Sequence, residues 1–157
     1  MVDMKYGETY LSKYIGLQHR LKKTFKIMTL ILSVSGIFGW KYFESLAWVA
    51  FILIAVMQLL TLVENQLIRS DKEVEDISAL RMKYTKYFNK LEKLWTECQN
   101  GMKSDKECFE IFYELRKTDW ETIEELDTKL DIKKFKWLMN KADTDTNDYI
   151  NKYHSNE

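Results

Sequence analysis

Lysines surround a tryptophan near the C-terminal end of the chain. Lys134, Trp137 and Lys141 have the spacing i, i+3, i+7, which places them on one face of a helix. An indole ring can stack on a nucleobase while neighbouring ammonium groups bind phosphates. The pattern predicts a nucleotide-binding face, although Trp137 could instead pack against a neighbouring helix with the lysines solvated. The candidate ligand-binding residues are Lys133, Lys134, Trp137, Asn140 and Lys141, with Arg81 from an earlier helix.

Arg81 interrupts a heptad pattern at a position of the core type. Apolar residues recur at intervals of three and four from Leu67 to Cys98, with Ser70 and Arg81 at the two polar positions. A buried guanidinium requires an anionic partner. A carboxylate on a neighbouring helix would supply it, or several copies of Arg81 would converge on a polyanionic ligand in a symmetric oligomer.

Signatures of catalysis are missing from the sequence. It contains no Walker loop, G-x-G-x-x-G, H-E-x-x-H or C-x-x-C motif. His19 and His154 lie far apart and belong to no recognisable constellation of carboxylates. We therefore expect no catalytic residues, no metal site, no cofactor and no enzymatic activity.

Two apolar runs near the middle of the chain predict membrane-spanning helices. Ser45–Val63 contains 19 residues without a charge, close to the roughly 20 that a bilayer requires. Ile27–Trp40 is shorter, but Lys26 and Lys41 can extend their ammonium groups to the lipid headgroups. With Lys41–Glu44 as a turn, the two runs form a helical hairpin. The alternative is a pair of buried helices in a soluble bundle, which the absence of a polar face on the second run disfavours.

The charges around the hairpin predict its orientation, and small and polar residues predict its contacts. Six Lys/Arg residues precede the first span and only Lys41 lies in the turn, so both termini are expected on the cytoplasmic side. Small residues let helices approach closely in lipid. Gln58 needs a partner, either another helix or water along a polar path. The candidate residues for membrane packing or a pore are Ser35, Gly36, Gly39 and Gln58.

The chain has the composition of a helical protein. It contains no proline and five glycines, so the usual helix breakers are scarce. The predicted fold is all-α: a two-helix transmembrane hairpin, continuing without a break into a long stalk helix that ends at Asn100-Gly101, followed by a small cytosolic helical bundle. The predicted domains are an N-terminal cytoplasmic or interfacial helix (1–23), the hairpin (24–63) and a cytosolic helical domain (64–157). The first of these could lie on the membrane surface or pack against the cytosolic helices.

Charge and cysteine content add two constraints on the cytosolic domain. Residues 1–63 hold seven Lys/Arg and three Asp/Glu, whereas residues 64–157 hold 17 and 21, a net charge of −4. Such mild acidity favours a protein partner over a phosphate ligand. Cys98 and Cys108 are too few for the disulfide framework of a small secreted domain, which indicates a reducing compartment.

This layout resembles a known class of bacterial membrane proteins. The basic stretch RLKKTFK, the short hairpin with SVSGIFGW and the following helix with YTKYFNKLEKLW are similar to two-transmembrane antiphage effectors. The closest groups are the SLATT-type effectors and the small membrane effector of type III CRISPR systems that senses cyclic oligoadenylate. The resemblance covers most of the chain as architecture.

The resemblance implies an oligomeric effector in the bacterial inner membrane. Its cytosolic domain would bind a cyclic oligonucleotide such as cyclic oligoadenylate, and the two transmembrane helices would then permeabilise the membrane. The expected partners are the lipid bilayer, the cyclic nucleotide and further copies of the chain, for example in a tetramer, without direct binding of DNA or RNA. The alternative is a non-gated membrane scaffold whose helical domain docks a partner protein.

Overall fold

The computed structural model describes residues 1–42 and 47–154, and it confirms the all-α prediction: these residues form helices and no strand. The side chains of residues 34–42, 47, 49, 50 and 65 are not described. The helices are α1 (Val2–Tyr42), α2 (Ala47–Leu67), α3 (Asp71–Gln99), α4 (Asp105–Leu115), a π-helical segment (Arg116–Trp120), α5 (Glu121–Leu130) and α6 (Lys136–His154).

Membrane-spanning helices are not found in the described part of the chain. Across residues 1–42 and 47–154, none of the helices combines the length and apolar character that crossing a bilayer requires. Phe43 and Glu44 of the predicted turn Lys41–Glu44 lie outside the described residues, whereas Lys41 and Tyr42 form the end of α1.

The chain divides into two compact units. The first, here called the helical body, consists of Met1–Ile15 and Lys72–Glu157. The second, here called the apolar segment, is Gly16–Asp71. Helix α1 contributes residues to both units.

The core of the helical body is built on one stripe of α3. The buried residues of that stripe are Ile77, Leu80, Tyr84, Tyr87, Phe88, Leu91 and Leu94. Most of them follow a 3–4 alternation, as predicted, but in a register that runs through Leu80 and not through Arg81. Leu80 is fully buried whereas Arg81 is only half-buried. The predicted core position of Arg81 is therefore wrong, because the apolar residues Leu80, Tyr87 and Leu94 define a more continuous stripe.

The N-terminal part of α1 packs inside the helical body. Met4, Leu11 and Tyr14 are buried, and the Tyr10 hydroxyl donates a hydrogen bond to the carbonyl oxygen of Lys133 at 2.7 Å. For residues 1–15 the structure thus matches the second alternative, packing against the other helices.

The predicted continuous stalk is wrong, because the helix ends at Leu67 and a new one begins at Asp71. The Gln18 carboxamide bridges the break. Its Nε2 donates to the carbonyl oxygen of Leu67 at 3.3 Å, and its Oε1 accepts from the backbone N–H of Arg69 at 3.0 Å. Both backbone groups lie at helix ends, where intrahelical partners run out. Ser70 and Glu73 have capping-box spacing, a signal for a new helix that the absence of proline and glycine obscured.

The turn between α3 and α4 follows its sequence signals. Gly101 has a φ of +67° and closes a Schellman motif, in which the N–H of Met102 donates to the carbonyl oxygen of Glu97 at 2.9 Å. The spacing of Ser104 and Glu107 predicts a capping box at the start of α4. The structure confirms it, since the two residues cap each other.

A disulfide between Cys98 and Cys108 spans this turn, with their Cα atoms 6.2 Å apart. The sequence did not predict this pairing. It arises because the turn at Gly101 reverses the chain and brings the end of α3 beside the start of α4.

The chain continues from α4 to α5 without a new helix start at Thr118. The Thr118 hydroxyl donates to the carbonyl oxygen of Glu114 at 2.9 Å, so it does not act as an N-cap. The spacing of Thr118 and Glu121 predicts another capping box. This prediction is wrong, and a π-helical segment takes its place. Helix α5 ends at Leu130 and is followed by Asp131, whose φ of 40° is left-handed. The sequence predicts the start of the last helix near Asp131, but α6 begins at Lys136.

Candidate functional site

The predicted nucleotide-binding residues at and before the start of α6 are exposed on the helical body. Trp137 is 56% exposed, so the alternative in which its ring packs against another helix does not apply within the chain. Lys134, Asn140 and Lys141 are also exposed, while Leu138 and Ala142 form the buried side of α6. Trp137, Asn140 and Lys141 share one exposed face of α6, here called the α6 basic face. Lys133 and Lys134 precede this helix, so the predicted helical spacing of Lys134 with Trp137 and Lys141 is wrong.

Arg81 lies on α3 next to the N-terminal part of α1. Its Nη1 donates to the Ser12 hydroxyl at 3.4 Å. Its Nε is buried and has no hydrogen-bond partner among the described residues. Where a carboxylate partner was predicted for Arg81, the structure places the neutral hydroxyl of Ser12.

The residues predicted for membrane packing are only partly described. For Ser35, Gly36 and Gly39 the structure describes the helical backbone but not their surroundings. Gln58 is exposed on α2.

A cavity of about 460 Å³ opens on the helical body between α1, α3 and the α5–α6 region. Four aromatic side chains, three carboxylates and one ammonium group line it. The aromatic residues are Tyr6, Tyr10, Tyr84 and Trp120, and the charged ones are Asp3, Asp127, Asp131 and Lys134. Three negative charges against one positive charge give the lining a formal charge of −2. Lys134 is the only one of the predicted ligand-binding residues among those that line this cavity.

Burial raises the pKa of four groups in this lining, Tyr6, Tyr10, Tyr84 and Asp127. Burial raises the pKa of the Asp127 carboxyl, while the nearby Lys134 ammonium opposes that shift. Burial, reinforced by the negative charge of Asp127, raises the pKa of Tyr84 to about 12. Tyr84 thus stays a neutral phenol at physiological pH.

Close packing and hydrogen bonds hold the tyrosines of the cavity in place. A Cβ added to Gly7 would come within 2.5 Å of the Tyr84 ring, so only glycine lets α1 approach α3 this closely. The Tyr10 hydroxyl is fixed from two directions, since it donates to the carbonyl oxygen of Lys133 and accepts from the backbone N–H of Phe135 at 3.2 Å. These contacts preorganise the wall formed by α1 and α3.

Two irregular stretches of backbone position other residues that line the cavity. Trp120 ends the π-helical segment, a type of insertion that occurs frequently at functional sites. Asp131 adopts its left-handed conformation at the end of α5, which is uncommon for a residue other than glycine. Both residues line the same cavity.

Sequence reasoning missed this cavity as a site. The spacing of Tyr6 and Tyr10 predicted one face of a helix, but nothing in the sequence paired that face with Tyr84, which is far away along the chain. The sequence features that could have indicated the cavity were Gly7 within a helical stretch and the aspartates Asp3, Asp127 and Asp131. Comparison with known proteins adds no assignment: no family model matches the chain, and neither a curated protein nor a solved structure matches it significantly.

Proposed function

We propose that the chain is an oligomeric effector of the bacterial inner membrane, in which residues 24–63 lie in the bilayer as a helical hairpin. The observation that carries this proposal is the exposure of large apolar side chains on both helices of the apolar segment. Leu30 is 63% exposed, Phe51 79% and Leu59 64%. Monomeric proteins in water rarely expose contiguous apolar surface of this kind, whereas lipid tails would cover it. Further exposed residues of the same kind are Ile27, Ile31, Trp48, Ile52, Ile54 and Leu62.

Hydroxyl groups in this segment are compatible with lipid. The Ser33 hydroxyl donates to the carbonyl oxygen of Thr29 at 2.8 Å, and that of Thr61 to the carbonyl oxygen of Met57 at 3.0 Å. Each polar group is thereby satisfied within its own helix, as a membrane interior requires.

The proposal extends beyond the described residues. No helix among those residues meets the requirements for a span, and each predicted span also contains positions whose side chains are not described. The spans therefore rest on the uncharged run Ser45–Val63, on the shorter run before it and on the exposed apolar side chains. The excess of Lys/Arg outside the turn favours a hairpin with both termini in the cytoplasm.

Gln58 supports assembly of several copies. Its amide is exposed on α2, and an amide in lipid needs a hydrogen-bond partner. Pairing with another copy across the hairpin would provide one. A symmetric oligomer would also place several copies of the α6 basic face around its axis. Such an arrangement suits a polyanionic ring such as cyclic oligoadenylate.

In this proposal the α6 basic face receives the cyclic nucleotide and the signal reaches the membrane through α1. Trp137 stacks on a base, and Lys134 and Lys141 bind phosphates. Helix α1 replaces the predicted stalk as the route, because the structure breaks the stalk after Leu67 whereas α1 runs unbroken from Val2 to Tyr42.

A non-gated scaffold is the second candidate, and α4 favours it. Phe109 is 63% and Tyr113 59% exposed, and their rings lie 5.5 Å apart. An exposed aromatic pair of this kind is typical of a protein docking surface. In this case the helical body would recruit a partner protein without any nucleotide.

The experiment reconstitutes the full chain in dye-loaded liposomes and adds cyclic oligoadenylates of several ring sizes. We expect one of them to bind and cause leakage. Lys141→Glu and Trp137→Ala should abolish both, whereas Lys129→Glu, a control that reverses the charge of an exposed lysine on α5, should retain them. Absence of binding across the panel would contradict the gated effector. Copurification of one defined partner that depends on Phe109 and Tyr113 would then support the scaffold.

A further inference from the structure

We propose that the cavity lined by Tyr6, Tyr10, Tyr84, Trp120 and Asp127 binds a small organic cation, an alkylammonium or quaternary ammonium compound. This inference goes beyond the membrane proposal and does not depend on it. It would be a second ligand site, separate in chemistry from the basic face of α6.

The negative charge of the cavity lining disfavours anionic ligands. A formal charge of −2 repels nucleotides and other phosphates. Metal ions fit poorly as well, since the described residues contain no group of three or more His, Cys, Asp or Glu side chains that could hold one. An organic cation remains, because carboxylates neutralise its charge and aromatic rings attract it through their quadrupoles.

The size and the apolar part of the cavity agree with this class. The volume of about 460 Å³ lies within the range of small-molecule sites. Met4, Leu11 and Ile132 also line the cavity and would contact the carbon chain of the ligand. The cavity thus offers apolar, aromatic and anionic surfaces together.

Lys134 and Asp127 should have opposite effects on the affinity of the cavity for a cation. Its ammonium group is the one cation built into the lining. It partly offsets the carboxylates, as its opposing effect on the pKa of Asp127 indicates. Removing this charge should therefore strengthen the binding of an external cation, whereas removing the charge of Asp127 should weaken it.

The experiment measures binding of tetramethylammonium and butane-1,4-diamine to the full-length chain in a nonionic detergent by calorimetry, with sodium chloride at matched ionic strength as the reference. We expect saturable binding of at least one amine. Asp127→Asn should weaken it at least tenfold, and Lys134→Gln should strengthen it severalfold. The matched controls carry the same charge changes at positions of α5 that do not line the cavity: Glu125→Gln and Lys129→Gln should stay within twofold of the wild type.

The outcomes separate a built site from general charge attraction. Equal losses in Asp127→Asn and Glu125→Gln would overturn the proposal, as would equal gains in Lys134→Gln and Lys129→Gln. Absence of saturable binding by both amines would also overturn it. Trp120→Leu provides an independent check, since loss of the aromatic wall should weaken tetramethylammonium binding while circular dichroism shows an intact fold.

Discussion

The side chain of Gln18 replaces the helical hydrogen-bond partners that the backbone loses after Leu67. Its amide nitrogen donates to the Leu67 carbonyl oxygen, and its amide oxygen accepts from the Arg69 N–H. Gln18 is only 2% exposed, although it is polar. A buried carboxamide with both ends satisfied holds the break at a defined position and separates α2 from α3.

Gln18→Leu should destabilise the apolar segment. The substitution keeps a similar side-chain volume but removes both hydrogen bonds from the Leu67 carbonyl and the Arg69 N–H to this side chain, which costs about 0.5–1.5 kcal/mol for each bond. Thermal unfolding of the full chain in detergent measures the effect, with His19→Ala at the exposed neighbouring position as the control. Equal stability of Gln18→Leu and the control would contradict the capping role of Gln18.

Substitution of two glycines of α1 by alanine should have opposite effects. Gly7→Ala forces a Cβ to within 2.5 Å of the buried Tyr84 ring and should cost about 1–3 kcal/mol through overpacking. Gly16→Ala meets no atom within 4 Å and should stabilise the helix by about 0.5–1 kcal/mol. Chemical denaturation of both variants tests the pair. A neutral Gly7→Ala would mean that Tyr84 does not lie against α1.

Asp127 should make stability depend on pH in the direction opposite to that of a salt-bridged carboxylate. Burial raises its pKa in the folded chain, so the folded state binds the proton more tightly than the unfolded state does. Its contribution to stability therefore improves as pH falls through that raised pKa and is unfavourable at neutral pH. Asp127→Asn should raise the melting temperature at pH 7 and leave it nearly unchanged at pH 3.

The Glu125→Gln variant is the control for that measurement, because Glu125 lies on the same helix but does not line the cavity. It should shift the melting temperature little at either pH. A lower melting temperature of Asp127→Asn at pH 7 would contradict the assignment of a burial cost to the carboxylate.

The redox state of Cys98 and Cys108 in cells should show whether the helical body lies in a reducing compartment. Closing a loop with a sequence separation of 10 residues should stabilise the oxidised chain by about 2–3 kcal/mol on the loop-entropy estimate. Cytoplasmic termini would keep the pair reduced in cells, and a membrane-permeant maleimide reagent should then modify both cysteines. Protection of both until reductant is added would contradict a cytoplasmic body, and the Cys98→Ser/Cys108→Ser double variant controls for background labelling.

The helical fold could be predicted from local signals, but the contacts between distant residues could not. Ser104 with Glu107 and Gly101 after α3 are short-range patterns, and both act as predicted. The break after Leu67 depends on Gln18, 49 residues away along the chain, and so does not follow from the absence of helix breakers. The register of α3 was misread because Leu80 and Arg81 are neighbours, and only packing shows which of them faces the core.

The candidate site was predictable only in its exposed part. Trp137 and Lys141 lie on an exposed face that their spacing on α6 suffices to define, whereas Lys134 precedes that helix. The cavity needs Tyr6 and Tyr10 from α1, Tyr84 from α3 and Trp120 from the π-helical segment. The periodicity of a single helix does not predict contacts between residues of different helices. The π-helical segment itself carries no strong sequence signature.

The central claim is that residues 24–63 are embedded in a bilayer. The most direct measurement is alkaline extraction of membranes from cells that produce the full-length chain, followed by extraction with detergent. We predict that the chain stays in the membrane pellet at high pH and is released only by detergent. Recovery of the chain in the alkaline supernatant would contradict the claim, and with it the membrane effector proposal.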